Sequence, residues 1–233
     1  MSAQTALMPL EQTSRIRQAS PKSWGSLRYW SSPQWRRTLT TLRAANPDSI
    51  LPAKQNLFRP MVLTHLKDVR VVLLDEAPSP QSDGLAFSSE AYGYENAALN
   101  TRLMICEAMS DMRIPEPKHT SLAPWAKEGV FLWNLRVIGR VGKKFEDMHY
   151  EFTDLSIELI QKVTRVNPKV VFAYASDYVE EFLDTHLPSG YNISRVRVPE
   201  VTSGRFMGSR LFSRINEQIE KKKAGGPIRW RLK

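Results

Sequence analysis

The sequence predicts an α/β protein with a parallel sheet covered by helices on both faces. Short apolar runs rich in β-branched residues recur along the chain, and segments with helical spacing of apolar residues lie between them. Strands that alternate with helices are typical of parallel sheets buried on both sides. The 233 residues are 42% apolar, which suits one domain with a full core.

Four segments have the character of buried strands. Each is a short apolar run, and the first and third are almost continuous stretches of Val, Leu, Phe and Ala. The predicted strands cover residues 69–75, 129–135, 170–175 and 193–198.

Helices are predicted between and after these strands, over 96–109, over a segment that starts near Thr153, over 177–183 and over 209–222. Thr153 is placed to cap the second helix, and Asp154 lies in its first turn, where a negative charge is favourable. The last helix is basic and amphipathic, and Glu217 lies four residues before Lys221, a supporting spacing.

The first 45 residues differ from the rest in charge. They hold seven basic residues and one acid, and they include Trp24, Trp30 and Trp35. Because tryptophans are costly to leave in water, we expect residues 23–45 to form a helix docked on the domain. Residues 1–22 are predicted to be a mobile basic arm, and 23–233 to be a single domain. We expect an intracellular protein of the cytoplasm or nucleus, and the composition of the first 45 residues also suits a mitochondrial transit peptide.

Lys and Arg outnumber Asp and Glu by 33 to 24, which gives a net charge of +9. Such a charge attracts phosphate backbones or anionic surfaces, so a nucleic acid is the predicted partner; a basic protein without a nucleic-acid partner is the alternative. Cys106 is the single cysteine, and the four histidines stand far apart. No disulfide, metal site or cofactor is therefore expected. No run approaches the length of a membrane span, so no membrane association is expected.

The site is expected beyond the carboxyl ends of the strands, where open parallel sheets bind ligands. Polar residues stand at two of these ends: Asp75 and Glu76 follow the first strand, and Asn134 ends the second. A buried amide must find partners. Each feature has a structural alternative, a solvated corner for the acids and a loop-fixing role for the amide.

Several stretches, in one order from about residue 50 to 231, resemble the family-1 uracil-DNA glycosylases. They are ILPAKQNLF, VRVVLL with GLAFS, LAPWAKEGVFLWN, FTD, GSRLFSRIN and GGPIRW. The resemblance implies a three-layer α/β/α fold with a central four-stranded parallel sheet, in agreement with the pattern of strands and helices.

The sequence departs from the family at both catalytic motifs. Where the family has Gly-Gln-Asp-Pro-Tyr-His, residues 75–80 read DEAPSP. Ala77 then stands at the position of the Asp that activates water, and Ser79 at that of the Tyr that excludes C5-substituted pyrimidines. Val198 matches the His that donates a hydrogen bond to the leaving base. The resemblance therefore implies that both catalytic positions are lost.

Two residues of the family's base pocket are kept. Phe87 matches the aromatic residue that stacks on the extruded base, and Asn134 matches the amide that reads its edge. Stacking on an aromatic ring contributes about 1–3 kcal/mol per base. The structural alternative is that both residues persist because they pack well.

We therefore expect a DNA-binding protein that does not excise uracil in the ordinary way and that holds DNA, or an extruded and 5-substituted pyrimidine. Three alternatives stay open: a base-modifying enzyme or transferase with Asp75 or Glu76 as general base or amine anchor, a weak glycosylase of altered specificity that uses one of these acids, and a scaffold in a protein complex. The predicted DNA contacts are Lys143, Lys144, Arg205 and Arg210.

Overall fold

The computed structural model describes residues 23–90, 94–140, 152–187 and 193–232. Within these ranges, seven α-helices surround a four-stranded sheet and a two-stranded ribbon. The helices are α1 (Pro33–Ala44), α2 (Arg59–Leu63), α3 (Leu99–Met112), α4 (Ala123–Lys127), α5 (Thr153–Val166), α6 (Asp177–His186) and α7 (Leu211–Lys221). The strands are β1 (Ile50–Leu51), β2 (Val71–Asp75), β3 (Val130–Asn134), β4 (Gly139–Arg140), β5 (Val171–Tyr174) and β6 (Ser194–Arg197).

The main sheet is parallel throughout and has the strand order β3-β2-β5-β6. The chain passes from β2 outward to β3 and then returns to the other side of β2 with β5. The strand order thus reverses between β2 and β5, and such a switch point opens a crevice at the carboxyl ends of the two strands. The short strands β1 and β4 pair antiparallel to each other.

Alternate residues of each strand face opposite layers, as the pleat requires. Leu74, Trp133 and Phe172 pack with α1, α5 and α6 on one face of the sheet. Leu73 and Leu132 pack with α3, α4 and α7 on the other. The predicted three-layer α/β/α fold with its four-stranded parallel sheet is confirmed, and each predicted strand is present with its ends shifted by at most two residues.

The amino-terminal segment is docked as predicted, but it is not one helix. Two short 3-10 turns, Trp24–Ser26 and Arg28–Ser31, precede α1. Extended backbone at Leu27 separates the turns, and the hydroxyl of Ser32 caps α1 just before Pro33. All three tryptophans of the segment are buried. The predicted arm, residues 1–22, lies outside the described residues.

Other helix boundaries also differ from the prediction. The helix expected from residue 96 begins at Leu99, because Tyr94–Asn96 forms a 3-10 turn, and α6 continues three residues further, to His186. The predicted cap at Thr153 was wrong: Thr153 is the first helical residue, and the preceding Phe152 makes no side-chain cap. In α7, Glu217 pairs with Arg210 rather than with Lys221. Within the described ranges, no helix is both long and apolar enough to cross a membrane.

Candidate nucleobase site

A cavity of about 520 Å³ opens at the carboxyl ends of β2 and β5, at the switch point of the sheet. Asp75 and Glu76 contribute to its wall from the end of β2, and Ala175 and Ser176 from the end of β5. Phe87 and the first turn of α3 line it as well. The topology of the sheet therefore places the opening where the sequence predicted a ligand site.

The segment 75–80, which carries most of the sequence differences from the family, lies entirely in this wall. Asp75 accepts a hydrogen bond of 2.8 Å from the backbone N–H of Glu76. Burial of the carboxyl raises the pKa of Asp75 to about 7, and the nearby charge of Glu76 acts in the same direction. A carboxyl group with a pKa near 7 exchanges protons readily at neutral pH, which is the property that general acids and bases need.

Glu76 is fixed by the element on the other side of the crevice. The hydroxyl of Ser176 donates to the carboxylate of Glu76 and accepts from the backbone N–H of Tyr178 at 3.1 Å. Ser176 is thereby the cap of α6. Glu76 lies close to the amino end of that helix, where the dipole favours a negative charge. The carboxylate is therefore held in place by contacts that the sequence did not reveal.

Asn134 lies beside Asp75, because the two residues are register partners at the ends of β3 and β2. Its side chain is only 5% exposed, and its Oδ1 atom has no hydrogen-bond partner among the residues described. Leu73 and Leu132, two positions earlier, both belong to the core layer that includes Phe87. Since side chains alternate along a strand, Asn134 and Asp75 point to the same face as Phe87.

Phe87 reaches the cavity through an unusual turn. Its φ angle is 59°, in the left-handed region that few residues other than glycine adopt. The neighbouring Ser88 donates a hydrogen bond of 2.8 Å to the buried carboxylate of Asp83, which also pairs with Arg59 at 2.9 Å. The aromatic ring is 6% exposed, so it belongs both to the core and to the cavity wall. Strained positions of this kind often lie at functional sites.

Ala77, Ser79 and Val198 are the positions at which the resemblance implies lost functional groups. Ala77 and Ser79 both line the cavity. Val198 is buried in the core layer next to it, and its backbone N–H donates to Tyr174 at 3.1 Å. The structure thus brings Asp75, Glu76, Ser79 and Phe87 together at one opening, whereas Asn134 is not among its lining residues and lies beside Asp75 in the sheet.

The predicted DNA contacts are distributed differently. Arg205 and Arg210 are exposed in and after the loop that follows β6. Arg210 pairs with Glu217 at 2.8 Å, whereas Arg205 has no ion pair within the described part of the chain. Lys143 and Lys144 lie outside the described residues. No group of His, Cys, Asp and Glu in the described ranges could hold a metal ion.

Sequence reasoning missed Glu107, a fully buried carboxylate in α3. It accepts hydrogen bonds from the backbone N–H groups of Gly208 at 2.7 Å and of Arg210 at 2.8 Å. These bonds tie the loop after β6 to α3. The available signal was a single acid on the apolar side of a predicted helix, with no indication of its partner.

Comparison with known proteins places these observations in a family, although no family model matches the chain. The uracil-DNA glycosylase of Bacillus subtilis strain 168 is 30% identical over 193 residues, covering 79% of this chain and 83% of the relative. That of a Sinorhizobium species is 30% identical over 191 residues, covering 78% and 85%. In fold, the crystal structure of mimivirus uracil-DNA glycosylase is similar, with a TM-score of 0.74, 16% identity, and coverage of 91% of this chain and 87% of that one. The chain belongs to the uracil-DNA glycosylase family.

Proposed function

We propose that this protein binds DNA and holds an extruded pyrimidine with a substituent at C5 in the cavity between β2 and β5, without ordinary uracil excision. The observation that carries the proposal is the composition of the cavity wall. It keeps an aromatic ring, Phe87, while Ala77 and Ser79 replace the larger functional groups that the family resemblance assigns there. The relatives are named as glycosylases of uracil in DNA, which supports DNA as the partner.

Ordinary excision needs a group that activates water and a donor that stabilises the departing base. The methyl group of Ala77 accepts no proton, and the side chain of Val198 donates no hydrogen bond. A general base contributes about 10²- to 10⁴-fold, and a donor to a developing oxyanion about 10²- to 10³-fold in rate. Loss of both groups reduces the rate to a small fraction of that of a complete active site.

The base-binding part of the cavity retains its features. Phe87 lines the cavity and offers a flat ring for stacking. The unpartnered Oδ1 atom of Asn134, next to Asp75 in the sheet, is the acceptor that we assign to a base edge. Ser79 leaves room beside C5 that a tyrosine would fill. An extruded 5-substituted pyrimidine would satisfy the otherwise unpartnered amide and occupy the added space.

A base-modifying enzyme is a second candidate, and Asp75 favours it. Its carboxyl group lines the same cavity and has a pKa raised to about 7 by burial. A reaction at the C5 substituent requires no water at the glycosidic bond, so the losses at Ala77 and Val198 would not impair it. Base-flipping enzymes catalyse several such reactions on extruded bases.

The proposal is tested by excision and binding measured together. Purified protein is incubated with a uracil-containing single strand, and abasic sites are cleaved with alkali. Product formation at the rate of a Bacillus subtilis control would refute the loss of excision. Slow product formation that disappears in Asp75→Asn or Glu76→Gln would instead identify a weak glycosylase that uses these acids.

Base recognition is measured with fluorescent oligomers that contain either thymine or 5-hydroxymethyluracil at one position. The wild type should prefer the hydroxymethyl DNA. Ser79→Tyr should abolish that preference, and Asn134→Ala should weaken binding of both oligomers. Equal affinity of all three proteins for both oligomers would show an idle cavity and support a scaffold role.

A further inference from the structure

The cavity has a charge opposite to that of the protein. The chain carries +9, yet none of the described residues that line the cavity is Lys, Arg or His. Three of the described lining residues carry carboxyl groups: Asp75 and Glu76 at the end of β2, and Glu200 in the loop after β6. A ligand that reaches this wall through a basic surface meets a local field of the opposite sign.

The three acids are unsuited to a metal ion. They are not brought together as a set of ligands, since no metal-binding group of acids, His or Cys occurs in the ranges that the structure describes. Glu76 is already held by Ser176, and Asp75 by the backbone of Glu76. Carboxylates spread over a cavity of about 520 Å³ fit a cation of molecular size better.

A second observation comes from Asn134, which is not among the residues that line the cavity but is the register partner of Asp75, which is. Asn134 is only 5% exposed, and its Oδ1 atom lacks a hydrogen-bond partner among the residues described. It lies next to Asp75 in the sheet and on the same face as Phe87. An unpaired buried acceptor is costly unless a donor arrives from outside. The Oδ1 atom of Asn134 and the carboxyl oxygens of Asp75 and Glu76 can therefore accept hydrogen bonds from a ligand that carries N–H groups.

From this arrangement we infer that the cavity receives a primary ammonium group beside the pyrimidine, bound by Asp75 and Glu76. The inference rests on the proposed function, because Phe87 and Asn134 hold the base while the acids contact the amine. The ammonium group has two chemical sources: a 5-aminoalkyl substituent on the extruded base itself, or a free amine that occupies the cavity next to the base.

The polarity of the cavity makes a prediction that opposes the bulk electrostatics. An aminomethyl group reduces the negative charge of DNA, so a basic surface alone would bind aminomethyl DNA less tightly. A cavity wall that carries the carboxyl groups of Asp75 and Glu76 would bind it more tightly, because an ammonium group next to Asp75 favours the ionised form of that carboxyl. Tighter binding of aminomethyl DNA would therefore indicate the cavity, and weaker binding would indicate the basic surface alone.

The test compares oligomers that differ only at C5 of one deoxyuridine: 5-aminomethyl, 5-hydroxymethyl, 5-carboxyl and 5-methyl. Fluorescence anisotropy at constant ionic strength should give tightest binding for the aminomethyl oligomer, by about tenfold over hydroxymethyl, the contribution of one charge-assisted hydrogen bond. The carboxyl oligomer should bind most weakly. Asp75→Asn and Glu76→Gln should each reduce the preference for the aminomethyl oligomer over the hydroxymethyl one, and the double variant should remove that preference. Glu220→Gln, an exposed acid outside the cavity wall, should leave it unchanged.

A second arm distinguishes the free amine. Ethylenediamine is added to the hydroxymethyl oligomer, with sodium chloride adjusted to keep ionic strength constant. If ethylenediamine tightens binding of the hydroxymethyl oligomer to the wild type but not to the Asp75→Asn/Glu76→Gln double variant, the ammonium group belongs to a separate ligand. If neither arm shows a gain, the inference is wrong. If the protein still prefers hydroxymethyl DNA over methyl DNA, and Ser79→Tyr abolishes that preference, the proposed function stands although the ammonium inference fails. Equal binding of all oligomers refutes both the ammonium inference and the proposed function.

Discussion

Asp75 and Asn134 lie side by side at the ends of two neighbouring parallel strands, paired in register as the last residues of β2 and β3. Both side chains point to the face of the sheet that holds Phe87. One is a carboxyl group with a pKa raised to about 7 by burial, and the other a buried amide whose oxygen lacks a partner in the described structure. Two polar groups so placed cost stability in the protein without a ligand, and a ligand that hydrogen-bonds to them would offset that cost.

Asp75→Asn should therefore stabilise the protein at alkaline pH. The unfolded carboxyl ionises near pH 4, whereas the folded one stays protonated up to about pH 7. Its contribution to stability is complete below pH 4 and is lost as pH rises through 7. One pKa unit corresponds to about 1.4 kcal/mol, and the side chain is half-buried. We therefore expect the free energy of unfolding of the wild type to fall by about 1–3 kcal/mol between pH 5 and 8, and that of Asp75→Asn not to show this fall. Urea unfolding of both proteins at pH 5 and at pH 8 measures this difference in free energy.

Glu220→Gln is the matched control for this experiment, because it removes an exposed acid. The difference in free energy of unfolding between Glu220→Gln and the wild type should be equal at pH 5 and pH 8. A wild type and an Asp75→Asn variant with parallel stability across this range would show that Asp75 is ionised in the folded state throughout, and would remove the case for it as a general base.

Glu107→Ala should be among the most destabilising changes of a charged residue in this chain. The variant leaves the backbone N–H groups of Gly208 and Arg210 without their acceptor and opens a space in α3. We expect a loss of about 2–4 kcal/mol in the free energy of unfolding, since an unpaired buried donor costs about 1–3 kcal/mol. Glu107→Gln keeps an oxygen and should lose about half as much. Unfolding midpoints equal to that of the wild type would contradict this role.

The sequence predicted the sheet more accurately than the site. Buried parallel strands are nearly continuous apolar runs, so all four were located to within two residues. Helix ends were less certain, because Thr153 could equally cap a helix or begin one. The amino-terminal segment was predicted as one helix, since its tryptophans indicate burial but not the extended turn at Leu27.

Contacts between distant segments were beyond the reach of the sequence. Nothing local to Ser176 indicates that it joins Glu76, one hundred residues away, and nothing near Glu107 indicates the loop that it holds. The acids at 75 and 76 were equally compatible with a solvated corner. The cavity, whose described lining includes carboxyl groups and no basic residue, distinguishes a candidate site from a solvated corner.

Arg205→Gln should weaken DNA binding more than Arg210→Gln does. Both arginines are exposed, but the guanidinium group of Arg210 is paired with Glu217, so it has less free charge to offer a phosphate. Each phosphate contact that is lost reduces the slope of log affinity against log salt by about 1. We expect that change for Arg205→Gln and a smaller one for Arg210→Gln, measured by anisotropy between 50 and about 200 mM salt. Identical slopes for both variants and the wild type would place the DNA elsewhere.

Phe87→Leu separates stacking on a base from packing in the core. Leucine retains an apolar side chain at the same strained backbone position, where φ is 59°, and the network of Asp83, Ser88 and Arg59 that shapes the turn remains intact. If the ring stacks on an extruded pyrimidine, the preference for a 5-substituted base should fall by about 1–3 kcal/mol, the contribution of one stacked base. Binding to thymine DNA, which depends on backbone contacts, should change little. If Phe87 serves only the core, the variant should instead lose stability in urea and keep the full preference for the substituted base. The two measurements on one variant therefore decide whether this aromatic residue recognises a ligand or only completes the layer beneath α3.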